Sequence, residues 1–302
     1  NYIMKQINTN LVASIFLFFA SLFWAGNFIV GKAASINDVP PISLNFYRWS
    51  IAFLILLPLT YKELYQKKNY ILNNLGIFSI LGITAVSIFN SALFYSLQFT
   101  QVITGVLMIS TVPVMIIFIS AILRIEKTNF FQLLGVVLSL TGVLFIITKF
   151  NFNVLLNLDF NKGDLSALFA MFSWSLYSTL LKKRKYEISQ ISLLQVVIGF
   201  GVIYLFPFFL IDTNMGNIVN FNVPFFLILF YVILFPGITS FFFWIKGVSL
   251  IGANRAGIYL HLMPILATIL AMLIYKEQIM FYHYIGAIFI ISGIIFSNKK
   301  NA

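Results

Sequence analysis

Ten apolar stretches, each close to the length of one bilayer crossing and set apart by short polar breaks, leave this chain few folds to choose from. They cover residues 11–33, 42–61, 74–97, 102–124, 130–149, 164–183, 190–211, 223–245, 253–275 and 279–297. A helix needs about 20 mostly apolar residues to cross the hydrocarbon of a bilayer. The chain therefore reads as an all-α polytopic membrane protein with ten transmembrane helices. The breaks fall at Asp38-Val39-Pro40-Pro41, Lys62 to Asn74, Arg124 to Asn129, Phe150 to Gly163, Lys182 to Glu187 and Asp212 to Asn222. Gln98 to Gln101 and Gly247 to Gly252 are so short that they imply tight hairpins. The first stretch lacks a small-residue cleavage site and reads as an anchor rather than a removed signal peptide.

Composition closes off the other classes. Mean hydropathy is +0.98, 61% of residues are apolar and 9% are charged, against about 25% charged in a soluble domain. This excludes a soluble enzyme, a disordered chain and a nucleic-acid partner, and makes the lipid bilayer the medium. The net charge of +11 is then loop charge, since Lys and Arg collect on the cytoplasmic side. With the N-terminus inside, that side receives fourteen of the nineteen Lys and Arg residues, leaving Lys32, Arg48, Lys149, Lys162 and Lys276 outside. Both termini are expected in the cytoplasm, in a cytoplasmic (inner) membrane. There is no cysteine, and no Walker motif, metal-spaced His cluster or catalytic dyad. No enzyme activity, cofactor or metal is expected.

The two halves repeat. Trp24 matches Trp174 at an offset of 150, and at 151 Pro113 matches Pro264, Glu126 matches Glu277, Gly135 matches Gly286 and Gly142 matches Gly293. The flanks agree too, Leu140-Thr141-Gly142-Val143 against Ile291-Ser292-Gly293-Ile294. Residues 11–149 and 164–297 thus form two five-helix units. Five crossings is an odd number, so the second unit enters from the opposite side. Inverted repeats are an architecture of secondary transporters, with the substrate site near the midplane where the halves meet.

Several motifs carry a family resemblance: Phe23-Trp24-Ala25-Gly26-Asn27, the Arg48 entering the second stretch, Gly252-Ala253-Asn254-Arg255-Ala256 leading to Met263-Pro264, and Glu277 before Gly286 and Gly293. Together the chain resembles the drug/metabolite transporter superfamily, as a doubled EamA-type domain. The resemblance covers nearly the whole chain and implies ten helices, a transport unit of monomer size and a small-metabolite or amino-acid cargo. A monomer and a homodimer both fit it.

Embedded polar side chains are costly in hydrocarbon, so each one needs a reason. Trp24 and Asn27 share one face of the first helix, and Trp174, Tyr177 and Ser178 share one face of the sixth. They either wall a central cavity or fill space between helices. Asn90, Ser110, Thr111 and His261 add polar groups at similar depth. His261 has two readings, a substrate or proton ligand and a neutral imidazole bonded to a neighbouring helix. Tyr259 and Met263 face away from it, so only one of the two faces meets a cavity. Pro113 and Pro264 each remove a donor in mid-helix, as hinges or as static kinks. Arg48 is deep and has no cationic counterpart, Val197 standing opposite it. Lys32 is either an attractant for anions or a snorkelling end. Glu126 and Glu277 read as structural ties. The expectation is a secondary transporter working by alternating access on a small organic metabolite, amino-acid-like or carboxylate-bearing. The aromatic pair and amides would hold the neutral part, and Arg48 or His261 the carboxylate. The alternatives are a multidrug exporter of the same fold, and a membrane enzyme or scaffold.

Overall fold

Helix starts fall where the polar breaks supply a cap. Asn129 Oδ1 accepts from Gln132 N at 2.7 Å while Asn129 N donates to Gln132 Oε1 at 3.0 Å, a reciprocal capping box. Asn161 and Asp164 close a second box, and Asn222 accepts from Phe225 N at 2.9 Å. Each gives an acceptor to an amide that the first helical turn leaves unpaired. The computed structural model describes residues 2–99, 108–151, 153–156, 161–183, 185–275 and 280–298. Its main helices are α1 (Tyr2–Ile36), α2 (Pro41–Gln66), α3 (Leu75–Phe99), α4 (Val112–Ile122), α5 (Phe130–Thr148), α6 (Lys162–Lys182), α7 (Gln190–Asn214) and α8 (Val223–Ile251). They are followed by α9, built from Ala253–Ile258, a 3-10 turn at Tyr259–His261 and Leu262–Tyr275, and by α10 (Phe281–Ser297). Short turns of helix at Lys68–Leu72 and Asn153–Leu156 lie in the connections, and no strand occurs among the described residues. Helices α2, α3, α7 and α8, and α1 from Thr9 onward, are long and apolar enough to cross a membrane on their own. The start of the fourth apolar stretch, part of the 98–101 hairpin, Lys276 and Glu277 lie outside the described residues.

One boundary is corrected. The eighth helix does not stop at 245; it continues to Ile251, and Gly252 alone (φ 88°) turns the chain into α9. Positive φ is open to glycine at little cost, so the turn needs a single residue.

Burial runs opposite to that of a soluble protein. Leu59, Phe118, Ile203 and Leu227 stand on the outer surface at 65–70% exposure, while Arg48, Asn90 and His261 are at most 1% exposed. Apolar side chains meet lipid, and polar groups are kept for the interior.

The repeat is inverted in space. Helix α1 packs along α8 and α9, and its counterpart α6 packs along α3 and α4, so each half inserts its first helix into the other. The self-equivalent pairs α2–α7 and α5–α10 meet on the axis that relates the halves. In α5–α10 the order is crossed: Gly135 lies against Gly293, and Gly142 against Gly286. Equivalent residues therefore run past one another antiparallel. A Cβ on Gly142 would stand 2.5 Å from Gly286 O, and one on Gly135 2.6 Å from Gly293 O. Small residues let backbones approach this closely in a membrane, where dispersion replaces hydrophobic burial as the driving force between helices. The π-helical stretches Ile83–Ile88 in α3 and Leu234–Thr239 in α8 begin 151 residues apart, the offset of the repeated prolines and glycines. Helix α4 starts after a turn at Ser110–Thr111, and α9 changes pitch at Tyr259–His261, again at matching positions. Pro113 and Pro264 sit in the first turn of the helix that resumes, where a missing N–H removes no intrahelical bond.

Candidate functional site

Where α1, α6 and α8 meet, three indoles form one cluster. Trp24 and Trp174 lie edge to face with centroids 5.1 Å apart, and Trp244 is 5.5 Å from each. Phe241 packs 5.1 Å from Trp174. The N–H groups are fixed: Trp24 Nε1 donates to Pro236 O at 3.0 Å in the π-helical stretch of α8, and Trp244 Nε1 donates to Ser178 Oγ at 3.1 Å. Buried Trp needs such a partner for its N–H, and this fixes ring orientation.

A small cavity opens beside this cluster. Trp24, Asn27, Phe89, Asn90, Trp174 and Met263 are among its lining residues, and its free space is about 10 Å³. That is room for about one water molecule, so the walls are nearly closed on each other. Asn27 Oδ1 is buried with no hydrogen-bond partner. The side chain of Asn90 is held from both ends. Its Nδ2 donates to Ala85 O at 3.0 Å, the carbonyl equivalent by repeat to Pro236 O, and its Oδ1 accepts from Arg48 Nη1 at 2.8 Å.

Arg48 is fully buried. Its guanidinium lies 4.6 Å from the Trp49 ring centroid and 5.9 Å from that of Phe94. Nε and Nη2 have no hydrogen-bond partner. Among the described residues the one ion pair joins Lys67 to Glu187, at 3.7 Å, so no carboxylate pairs with Arg48. Gly237, in the π-helical stretch, is close enough that a Cβ there would lie 3.4 Å from Arg48 Nε. A buried guanidinium with donors to spare is costly unless an anion joins it.

The structure brings Trp24, Asn27, Asn90 and Trp174 together around the cavity, with Arg48 bonded to its wall. Tyr177 joins the aromatic cluster, 5.1 Å from Trp174, with its hydroxyl buried and unpartnered. The other candidates are placed elsewhere. His261 Nδ1 lies 2.6 Å from Ser139 Oγ, and Nε2 lies 2.9 Å from Ser110 O. A neutral ring carrying its proton on Nε2 satisfies both, donating to the carbonyl and accepting from the hydroxyl. The residues joined in this way, Ser110 and His261, are repeat equivalents meeting across the axis. Tyr259 points to Ser14 Oγ (2.6 Å) and Asn298 Nδ2 (3.0 Å). The 3-10 turn explains the split: at three residues per turn Leu260 and Met263 share a face, and that face lines the cavity. Lys32 Nζ donates to Leu97 O at 3.2 Å, and its counterpart Lys182 Nζ to Ser249 O at 3.5 Å, so both cap the last turn of a neighbouring helix. Glu126 Oε2 accepts from Asn254 N at 2.9 Å and ties the α4–α5 connection to the start of α9. Glu277 lies outside the described residues.

His261→Ala removes the ring that bridges Ser110 O and Ser139 Oγ and empties a fully buried site, while Ser139 Oγ keeps Gly135 O at 2.8 Å. It is expected to lower stability by about 1–3 kcal/mol and to leave the transport selectivity of the surviving protein unchanged. A thermal melt beside an uptake competition series checks both.

Sequence reasoning passed over Trp244, Phe241 and Phe89. The first two lie in an apolar stretch with no polar contrast to mark a face, and the spacing Phe241, Trp244, Val248 was the available signal.

Comparison with known proteins agrees with this architecture. The EamA-like transporter family matches twice, over residues 11–148 and 161–299. The uncharacterized transporter YyaM of Bacillus subtilis is 22% identical over 97% of this chain and 94% of its own. An uncharacterized transporter of Clostridium kluyveri is 28% identical over 95% of this chain and 94% of its own. A protein of known crystal structure superposes with a TM-score of 0.70 at 18% identity, covering 94% of this chain and 95% of its own, and so shares the fold. With both halves matched and the inverted arrangement visible in the helix pairing, the chain belongs to the EamA-like transporter family.

Proposed function

We propose that this protein is a secondary transporter that carries a small carboxylate-bearing metabolite, amino-acid-like in size, across the cytoplasmic membrane by alternating access. The observation that carries the reading is Arg48: fully buried, without a carboxylate, and with Nε and Nη2 unpartnered beside a cavity that Asn90 shares. A carboxylate bound there offsets the desolvation of the guanidinium, whereas a cationic ligand adds to it. The Trp24–Trp174 pair offers faces for an apolar or aromatic part of the cargo, and Asn27 Oδ1 an acceptor for a donor group. With about 10 Å³ free, this is a contracted state, and cargo enters only when the walls part. The test is uptake or counterflow of paired compounds that differ only in the carboxylate, such as an amino acid and its amide. Preference for the acid supports the reading; equal transport, or preference for the cationic amide, removes it. The aromatic part of the wall, Trp24, Phe89 and Trp174, favours a second reading, export of bulky apolar drugs, and a drug panel without carboxylates tests that.

The face that carries Lys62, Lys67, Lys68 and the Lys182–Lys185 run is taken as cytoplasmic, by the positive-inside rule. The chain has no native cysteine, so single Cys substitutions report sidedness cleanly. Asn214→Cys is expected to label from outside and Asn298→Cys from inside only; the reverse pattern inverts the assignment.

A further inference from the structure

A second cavity, of about 510 Å³, lies far from Arg48, at the basic face between the end of α6, the start of α7 and the end of α8. Its rim is polar, with Lys182, Lys185, Gln190 and Ser249; its floor is apolar, with Leu181 and Ile245. No lining residue is acidic, and Glu187, the carboxylate beside it in sequence, is engaged by Lys67 instead. The Lys185 ammonium has no ion-pair partner among the described residues.

The position of this cavity matters as much as its charge. On α6, Trp174, Ser178 and Leu181 follow at steps of four and three and so share one face, and Lys185 lies just beyond the helix end. On α8, Phe241, Trp244, Ile245 and Val248 do the same. The seam between these two faces runs from the cavity floor to the central aromatic cluster. Leu181 and Trp174 are seven residues apart, about 10 Å along the helix. Between them stands the Trp244 indole bonded to Ser178 Oγ at 3.1 Å, both residues fully buried.

We propose that this cavity is a second binding site, for small organic anions, at the cytoplasmic mouth of the transport path, and that Trp244 with Ser178 is the plug separating it from the central cavity. It rests on the orientation and on the cargo class given above. The two lysines concentrate anions where the path begins, as a basic cleft with apolar walls does. The plug keeps the central cavity dry until the α6–α8 seam opens.

The test uses the full chain in liposomes, with single cysteines at Ser249, Ile245 or Ser178 and two methanethiosulfonates, one carrying a sulfonate and one a trimethylammonium. Added at the basic face, the anionic reagent is expected to modify Ser249→Cys and Ile245→Cys about tenfold faster than the cationic one. Lys182→Gln with Lys185→Gln abolishes that preference. Ser178→Cys stays silent until Trp244→Ala is added. Trp244→Phe keeps a ring and removes the indole N–H, and it too raises labelling of Ser178→Cys; it serves if the alanine variant does not fold. Equal rates for the two reagents overturn the anion site. So does protection of Ser249→Cys by anionic lipid, which assigns the cavity to a headgroup. Ser178→Cys that labels freely behind an intact Trp244, or stays silent in Trp244→Ala while Ile245→Cys labels, overturns the plug. None of these rates needs a cargo, so failure of the carboxylate preference at Arg48 is read separately. The same rates seen only from the opposite side would reverse the orientation and leave the site in place.

Discussion

Arg48→Gln is expected to weaken binding of a carboxylate-bearing cargo by about 10- to 100-fold, while the melting temperature of the empty protein holds or rises. The two outcomes come from one cause. A hydrogen bond to a charged partner contributes about 1.5–3 kcal/mol, which at about 1.4 kcal/mol per tenfold gives the range. The same guanidinium, buried with Nε and Nη2 unpartnered, is a liability when no anion is present, and a neutral amide removes it. A residue with a purely structural role behaves otherwise: stability and binding fall together. Lys32→Gln is the comparison. Its ammonium is committed to Leu97 O, so its loss touches a helix end and changes carboxylate preference little. Measuring thermal shift with and without the acid, for wild type and both variants, separates the cases. A large drop in melting temperature for Arg48→Gln without change in selectivity would return Arg48 to packing.

The second large effect is expected at the glycine seam. Gly142→Ala places a Cβ 2.5 Å from Gly286 O, and Gly293→Ala places one 2.5 Å from Gly135 O. Both obstacles are backbone, so neither yields by a side-chain rotation; α5 and α10 have to separate along their length. Each substitution is expected to cost about 1–3 kcal/mol. The double variant should cost less than the sum, because helices already parted by one methyl make room for the other. Thermal melting in one detergent, single variants against the pair, reads this directly. Unchanged melting temperatures would mean that the two helices do not meet through these glycines.

What the sequence revealed and what it hid follow from how far each signal travels along a chain. The ten stretches were legible because hydrocarbon tolerates so few exceptions over 20 residues. The repeat was legible because Trp, Pro and Gly at a common offset are rare in a greasy background. Trp24, Asn27 and Trp174 could be grouped because straight α-helical spacing holds around them. That same spacing failed at Tyr259 to His261, where a 3-10 turn rotates successive side chains by 120° instead of 100° and sends Tyr259 to Ser14 while Met263 reaches the cavity. The π-helical stretch in α3 adds residues to a turn without any local sequence mark, unlike the one in α8 with its Pro236-Gly237, so the carbonyl that Asn90 binds could not be foreseen. The partners of His261 were out of reach for a simpler reason. They stand 122 and 151 residues away in number, and nothing local records them.

The placement of the two self-equivalent helix pairs has a thermodynamic consequence. If the molecule alternates by exchanging the conformations of its halves, the resting balance between its two faces depends only on contacts that differ from their own mirror images. The α5–α10 seam is its own image: Gly135 on Gly293 becomes Gly286 on Gly142. A substitution there raises both end states alike and cancels from their ratio. At the α2–α7 pair the cancellation fails. Glu63 receives hydrogen bonds from Ser189 N, Ser189 Oγ and Ser192 Oγ on the basic face, whereas the equivalent carboxylate, Asp212, in the register that aligns Pro58 with Pro207, has Pro40 where Glu63 has Ser189. Proline has neither the N–H nor the hydroxyl, so the two charge-assisted bonds from Ser189 have no mirror image and act as a bias toward the conformation that keeps the basic face shut. The direction in which an empty carrier rests is thus written in a serine that faces a proline across the repeat, at the edge of the membrane and far from anything the cargo touches.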